Sequence, residues 1–149
     1  MPDTLVTSPT SFTVSRTIDA TREKVFDAWT KPEILQQWWG PPGHTSPSAV
    51  VDLRPGGKYR IGMKGPEGDV FYLTGTFVEI RRPEKLVYTW AWEEEQGPGH
   101  ESQVTIEFHA RGEKTDVVVT HERLDGAESR DRHIQGWVGC LDKLVALLG

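Results

Sequence analysis

Alternating hydrophobic and polar positions predict seven strands along the chain. The first is FTVSRTI, in which Phe12, Val14, Arg16 and Ile18 alternate with polar residues, as in a half-buried strand. Six more segments follow in the middle of the chain: SAVVDL, GKYRIGM, DVFYLTGTFVEI, KLVYTWAW, SQVTIEFHA and TDVVVTHERL. Turn-forming segments such as RPGG, KGPEG and RGEK separate them. Short connections between consecutive strands predict an antiparallel meander.

Apolar residues at helical spacing predict three helices. TREKVFDAWT places Val25, Phe26 and Trp29 on one face, and Pro32 ends this helix and opens a shorter one, PEILQQWW. The sequence Gly-Pro-Pro-Gly at 40–43 ends the second helix, since two prolines remove backbone donors. The segment SRDRHIQGWVGCLDKLVALLG predicts a long amphipathic helix from its apolar residues Ile134, Trp137, Val138, Leu141, Leu144, Val145 and Leu148.

This order of elements predicts one α+β domain over residues 12–149: a strand, two helices, six strands and a long helix. The long helix is the one element able to cover the apolar face of the sheet, so the sheet is expected to curl around it. Residues 1–11, MPDTLVTSPTS, have neither the basic nor the apolar segment of a signal peptide. We expect them to form a short disordered lead and the protein to be cytoplasmic.

Alternation also assigns the side chains that face inward. The inner-face set is Tyr59, Ile61, Met63, Phe71, Leu73, Gly75, Phe77, Leu86, Tyr88, Trp90, Trp92, Val104, Ile106, Phe108, Val117, Val119 and His121. Several of these are aromatic residues with a polar tip, the kind that lines ligand cavities. In the long helix, Gly136 and Gly139 indicate either close backbone approach or space left beside the helix. A plain packed core is the alternative, and it is the more common environment for any one of these aromatic residues.

Charge and composition exclude several functional classes. A net charge of −5 and the lack of a Lys/Arg run argue against nucleic-acid binding, and no apolar run reaches the roughly twenty residues of a membrane span. The single cysteine, Cys140, excludes an internal disulfide and a site of several thiolates, and its apolar surroundings indicate a buried core residue. The acidic segment EEEQGPGHE has the composition of a solvated hairpin tip, and no phosphate-binding glycine loop is present. We therefore expect no metal and no cofactor.

His121 is the main candidate for acid–base chemistry. On the inner face of its strand it could serve as a general base, as a hydrogen-bond partner of a ligand, or as a core histidine with both nitrogens satisfied. The third is the most common of these roles. The sequence shows no converging acid–base pair.

The chain resembles the Aha-type branch of the START-like (SRPBCC, Bet v-like) superfamily. The similarity lies in VFDAWT…PE…L…WWGPPG, DLRPGGKYR, GPEGDVFYLTGTFVEI, RPEKLVYTWAW, TDVVVTHERL and HIQGW…LDKL, and it extends from Phe12 to Leu148. The resemblance implies a helix-grip fold, in which a curved antiparallel sheet surrounds a long C-terminal helix and two short helices close one end. In such a fold WWGPPG lies at the rim of a cavity. Trp38 and Trp39 point about 100° apart, so we expect one to anchor the lid and Trp39 to face the cavity. The alternative is that both pack within the lid.

Three functions remain open at this point. The first is binding of a small apolar or aromatic molecule in an interior cavity, as START-like domains commonly do. The second is a small cyclase, hydrolase or dehydratase in which His121, Tyr59 or Tyr88 orients a substrate. The third is a chaperone partner, because Aha-type domains include the second domain of chaperone ATPase activators, although the 149 residues leave no room for the separate N-terminal domain of those activators. For the first function, the predicted ligand-binding residues are Trp39, Tyr59, Ile61, Met63, Phe71, Leu73, Tyr88, Trp90, Trp92, His121, Gly136 and Trp137.

Overall fold

Antiparallel strands and three helices make up the part of the chain that the structure, a computed structural model, describes: residues 4–40, 43–94 and 97–148. The strands are β1 (Thr4–Ser8), β2 (Ser11–Ile18), β3 (Ala49–Val51), β4 (Lys58–Lys64), β5 (Val70–Arg81), β6 (Lys85–Glu94), β7 (Gly97–Pro98), β8 (Ser102–Arg111) and β9 (Lys114–Glu122). The helices are α1 (Arg22–Thr30), α2 (Pro32–Trp38) and α3 (Ala127–Leu148). The predicted order of strand, two helices, six strands and long helix is confirmed, with β1 and β7 as additions.

The strands form one antiparallel sheet in the order β1-β2-β9-β8-β6-β5-β4-β3, and β7 pairs with the end of β6. β2, the first long strand, pairs with β9, the last strand of the chain, while the short loops keep the middle strands in chain order. The core lies between this sheet and the helices, and it includes Trp137, Leu141 and Leu144 of α3. The predicted α+β helix-grip fold is therefore confirmed.

The predicted inner face is buried over most of the sheet. Burial is nearly complete for Tyr59, Ile61, Leu73, Phe77, Leu86, Tyr88, Trp90, Val104, Ile106, Phe108, Val117, Val119 and His121. Met63 and Trp92 are half-buried, and Phe71 is 51% exposed. These three residues lie toward one end of the β4, β5 and β6 strands, where the core does not close completely.

The disordered lead expected at residues 1–11 is wrong for Thr4–Ser8. These residues form β1, an edge strand in which Thr4 pairs with Val14 and Val6 with Phe12. The physical reason is that Leu5, Val6 and the β-branched threonines suit a strand, and β2 offers them an unpaired backbone edge. The Ser8 hydroxyl accepts a hydrogen bond from the Thr10 backbone N–H and stabilises the turn into β2. Residues 1–3 lie outside the described part.

The two short helices begin and end where their sequence predicts. Pro32 occupies the first turn of α2, and the Lys31 backbone N–H donates to the Asp27 carbonyl at the end of α1. After α2 the chain turns at Gly40, whose φ of +98° lies in the left-handed region that glycine adopts without strain. The two prolines at 41 and 42, which were predicted to end this helix, lie outside the described residues, as do residues 95 and 96 of the acidic hairpin.

Candidate functional site

A cavity of about 450 Å³ lies between α3 and the end of the sheet formed by β4, β5 and β6. It is lined by Trp39, Met63, Phe71, Trp90, Trp92, Arg132, His133, Gly136, Trp137 and Cys140. Aromatic rings therefore dominate the wall. Phe71 is 51% exposed, and the Arg132 side chain is 68% exposed, so these two residues mark the mouth.

Space beside α3 exists because residue 136 has no side chain. A Cβ atom placed on Gly136 meets no other atom within 4 Å, so the glycine is not required by close packing of the backbone. Glycine within a helix costs about 1 kcal/mol relative to alanine. Of the two explanations open for this residue, space left beside the helix is the one the structure supports.

The paired tryptophans at the end of α2, Trp38 and Trp39, have different roles. Trp38 is fully buried, and its indole N–H donates to the Ala28 carbonyl at 2.9 Å, which fixes α2 to α1. Trp39 turns toward α3 and lines the cavity, where its ring contacts those of Trp90 and Trp137 with centroids 5.7 Å away in each case. The structure places Trp39 on the wall of this cavity, and its part in ligand binding stays a prediction.

Trp90 is the centre of the aromatic wall. Its ring centroid lies 5.4 Å from Trp137 and 5.7 Å from Trp92, and edge contacts connect it to His121 and His133. Edge-to-face contacts at these distances are the favourable geometry for aromatic rings. These ring contacts therefore build one wall of the cavity.

His133 and Trp92 form a hydrogen-bonded pair on the cavity wall. The Trp92 indole N–H donates to His133 Nε2 at 3.2 Å, and His133 Nδ1 lies 2.7 Å from the Ser129 carbonyl oxygen. A carbonyl can only accept, so Nδ1 carries the proton and the ring is neutral. Burial lowers the pKa of His133, the Ser129 hydrogen bond partly offsets this, and the Arg132 charge lowers the pKa further.

His121 is a satisfied core residue. It has no exposed surface; the Trp137 indole N–H donates to its Nδ1 at 3.1 Å, and its Nε2 lies 2.7 Å from the Ser102 hydroxyl. Because the indole can only donate, the proton lies on Nε2. Burial, followed by the neighbouring His133, lowers the pKa of His121 well below its ordinary value. Of the three roles left open by the sequence, the structure supports the core role.

The loop after α2 is tied to α3 by a lysine. Lys143 Nζ donates to the carbonyls of Gly40 and His44, at 2.9 and 3.1 Å. The Gly40 carbonyl lies just past the C-terminal end of α2, where a cation is favourable. One turn earlier, burial raises the pKa of the Cys140 thiol to about 12, partly offset by a hydrogen bond from the Gly40 backbone. Cys140 is therefore an uncharged part of the apolar wall, as its sequence context predicts.

Seven of the predicted ligand-binding residues share the cavity: Trp39, Met63, Phe71, Trp90, Trp92, Gly136 and Trp137. His121 is sealed in the core, and Tyr59, Ile61, Leu73 and Tyr88 lie beyond the cavity around a void of about 20 Å³, the space of one water molecule. The twelve predicted ligand-binding residues therefore divide between the wall of this cavity and the packed core.

Close packing fills this second end of the fold. The Tyr59 ring lies over Gly75, and a Cβ on that glycine would lie 2.6 Å from it. The Tyr59 hydroxyl donates to the Thr89 carbonyl at 2.6 Å, and the Tyr88 hydroxyl accepts from the Trp29 indole at 3.4 Å. Burial raises the pKa of both tyrosines. Both hydroxyls lie in the packed core, away from the cavity beside α3.

Three lining residues, Arg132, His133 and Cys140, were not among the predicted ligand-binding residues. All lie on α3, and positions 132, 136 and 140 are four residues apart, as are 133 and 137. This spacing is the signal that could have found them, because residues four apart on a helix share a face. Arg132 and His133 were missed because only apolar positions of this helix had been used to trace its inner face, and Cys140 had been assigned to the packed core.

The sequence from residue 19 to residue 149 matches the family model described as activator of Hsp90 ATPase homolog 1-like protein. The chain belongs to this family. The family is the Aha-type branch of the START-like superfamily, which the sequence resemblance had indicated. Within the described residues, no helix has the length and apolar character needed to cross a membrane.

Solved structures of similar proteins share the fold over almost the whole chain. An AHSA1 protein from Silicibacter pomeroyi is 27% identical, with a TM-score of 0.84 over 93% of this chain and 96% of that one. A protein from Nitrosomonas europaea is 25% identical, with a TM-score of 0.82 over 96% of both chains. One from Chromobacterium violaceum, 24% identical with a TM-score of 0.85 over 95% of this chain and 98% of that one, supports the fold alone. The search of curated proteins gives no match.

Proposed function

We propose that this protein binds a small, apolar, aromatic molecule in the cavity beside α3. The observation that carries the proposal is the space of about 450 Å³, walled by Trp39, Trp90, Trp92 and Trp137 and left open at Gly136. Small-molecule sites usually enclose roughly 300–1,000 Å³ and have mainly apolar and aromatic walls. The rings offer flat faces on which a planar ligand can stack.

The wall is arranged for binding rather than for proton transfer. Both nitrogens of His133 are engaged, by Trp92 and by the Ser129 carbonyl, and the Cys140 thiol is held uncharged. His121 and the tyrosines proposed for a catalytic role lie in the packed core. These contacts support a binding protein over the alternative of a small cyclase, hydrolase or dehydratase.

The test uses the six tryptophan indoles as reporters in an NMR titration with 2-naphthamide, a neutral planar probe. We expect saturable shifts at Trp39, Trp90, Trp92 and Trp137. Trp38 is the internal control, because it does not line the cavity and its indole N–H is bound to the Ala28 carbonyl; its ring contacts Trp39, so we expect a smaller shift there than at the four cavity indoles. Equal shifts at Trp38 and the four cavity indoles, or no shifts at all, would contradict the proposal.

The family description names an activator of the Hsp90 ATPase, which gives the chaperone-partner function its support. We test it separately by adding the protein to an Hsp90 ATPase assay, with and without the naphthalene probe. Stimulation of the ATPase would establish the chaperone role. Stimulation that the probe abolishes would place chaperone binding at the cavity mouth, beside Phe71 and Arg132.

A further inference from the structure

One cation lies at the mouth of an otherwise apolar cavity. Arg132 is the only cationic side chain among the described lining residues, and none of those residues carries a carboxylate. Its guanidinium therefore meets no opposing charge on the cavity wall itself. A ligand whose apolar body fills the cavity would end beside this guanidinium.

Arg132 supplies hydrogen-bond donors at the mouth, and few acceptors line the wall. The acceptor nitrogen of His133 is already used by Trp92. The indole nitrogens of Trp39 and Trp90 have no partner in the described structure, but both are buried and expose no surface to a ligand. A guanidinium can only donate. A ligand group that accepts hydrogen bonds and carries none of its own donors is therefore the chemical complement of Arg132.

The present partner of Arg132 is weak and replaceable. Arg132 Nη1 lies 3.3 Å from Glu128 Oε1, one turn earlier on α3, and the Glu128 side chain is 90% exposed. An exposed pair of this kind contributes little, because water screens both charges. A ligand anion held by the cavity is less exposed than Glu128, so it competes well for the same guanidinium.

From these contacts we infer that the cavity takes an aromatic monocarboxylate, with its ring system between the tryptophans and its carboxylate on Arg132. This inference rests on the proposed function and names the ligand class for the same site. Planar carboxylate and guanidinium groups match in two parallel hydrogen bonds, which also fixes the direction in which the ligand enters.

The test compares 2-naphthoic acid, ionised at neutral pH, with 2-naphthamide, which has the same ring system and no charge. We expect the acid to bind the wild type about fivefold more tightly, the upper range for an ion pair that remains partly exposed. Added salt should weaken binding of the acid and leave the amide unchanged.

Three variants at the cavity mouth sharpen the comparison. Arg132→Gln should remove the preference for the acid over the amide, while Arg132→Lys should retain part of the preference. Glu128→Gln removes the competing carboxylate and should tighten binding of the acid alone. Both side chains are exposed, so the fold is expected to tolerate all three changes.

The outcomes separate the inference from the proposed function. If both probes bind the wild type with equal affinity, and Arg132→Gln changes the affinity for neither, the carboxylate inference fails and the binding function stands. If neither probe shifts the cavity indoles, both fail. Preference for the acid that persists in Arg132→Gln would also overturn the assignment of Arg132.

Discussion

The indole N–H of Trp92 donates a hydrogen bond to Nε2 of His133 at 3.2 Å. A second pair of the same kind is formed by the indole N–H of Trp137 and Nδ1 of His121, at 3.1 Å. Each pair joins a strand of the sheet to α3 through a neutral imidazole. The two imidazole centroids are only 5.1 Å apart. Protonation of either ring would place two donors face to face, so the cavity wall depends on both rings remaining uncharged.

Stability is therefore expected to fall as the pH is lowered through the ordinary titration range of histidine. The pKa values of His121 and His133 lie below the ordinary 6.5 in the folded protein. Below that pH the unfolded chain therefore binds more protons than the folded chain. The contribution of the two neutral rings to the free energy of unfolding is fully present above pH 6.5 and is lost progressively as the pH falls below that value. For His121 the slope should approach about 1.4 kcal/mol per pH unit.

Urea unfolding at pH 7.5 and pH 5.5 measures this slope. His121→Gln keeps a donor and an acceptor but cannot titrate, so its unfolding free energy should change less between the two pH values than that of the wild type. An equal change in both proteins would contradict the assignment.

Replacing Trp137 with alanine tests the packing of α3 on the sheet. The side chain is 2% exposed and contacts the rings of Trp29, Trp39 and Trp90. Its removal should lower the free energy of unfolding by about 3–5 kcal/mol, the usual cost for a buried large aromatic residue. Trp137→Phe keeps most of the packing and loses the hydrogen bond to His121, which should cost about 1–3 kcal/mol. A loss below 1 kcal/mol for the alanine variant would contradict a role for this ring in packing α3 on the sheet.

Two glycines should respond to alanine in opposite directions. Gly136→Ala meets no atom within 4 Å, so the better helix propensity should raise the free energy of unfolding by about 1 kcal/mol. In Gly75→Ala the new Cβ would collide with the Thr89 carbonyl oxygen, so this variant should unfold easily or fail to fold. Thermal unfolding of both variants is the measurement. Destabilisation by Gly136→Ala would show that the backbone there is closely packed after all.

Lys143 is expected to hold the loop that follows α2. Lys143→Met keeps the apolar stem and removes both hydrogen bonds to Gly40 and His44, which should cost about 1–2 kcal/mol. Amide hydrogen exchange at residues 43–46 should accelerate while exchange in β8 and β9 stays slow. Lys114→Met, at an exposed position in β9, is the control and should leave exchange in the loop unchanged. Equal rates of amide exchange at residues 43–46 in Lys143→Met and Lys114→Met would contradict the role of Lys143 in holding this loop.

The sequence predicts the elements of this fold better than its cavity. Alternation is enough to place Trp90 and Trp92 on the inner face, since side chains of a strand point to opposite sides in turn. Which inward residues touch empty space depends on packing in three dimensions. Tyr59 fills its end of the fold because Gly75, on the neighbouring strand, makes room for its ring, and no local pattern reveals that contact. β1 was missed for a similar reason, because its partner is the edge of β2.

The most direct test of the binding function is the substitution Gly136→Leu, compared with Gln135→Leu. The first fills the cavity from α3, and the second adds the same side chain to the same helix at an exposed position. We predict that both variants fold, that Gln135→Leu binds 2-naphthamide as the wild type does, and that Gly136→Leu loses binding. A folded Gly136→Leu that still binds the probe with wild-type affinity would show that the cavity beside α3 is not the ligand site.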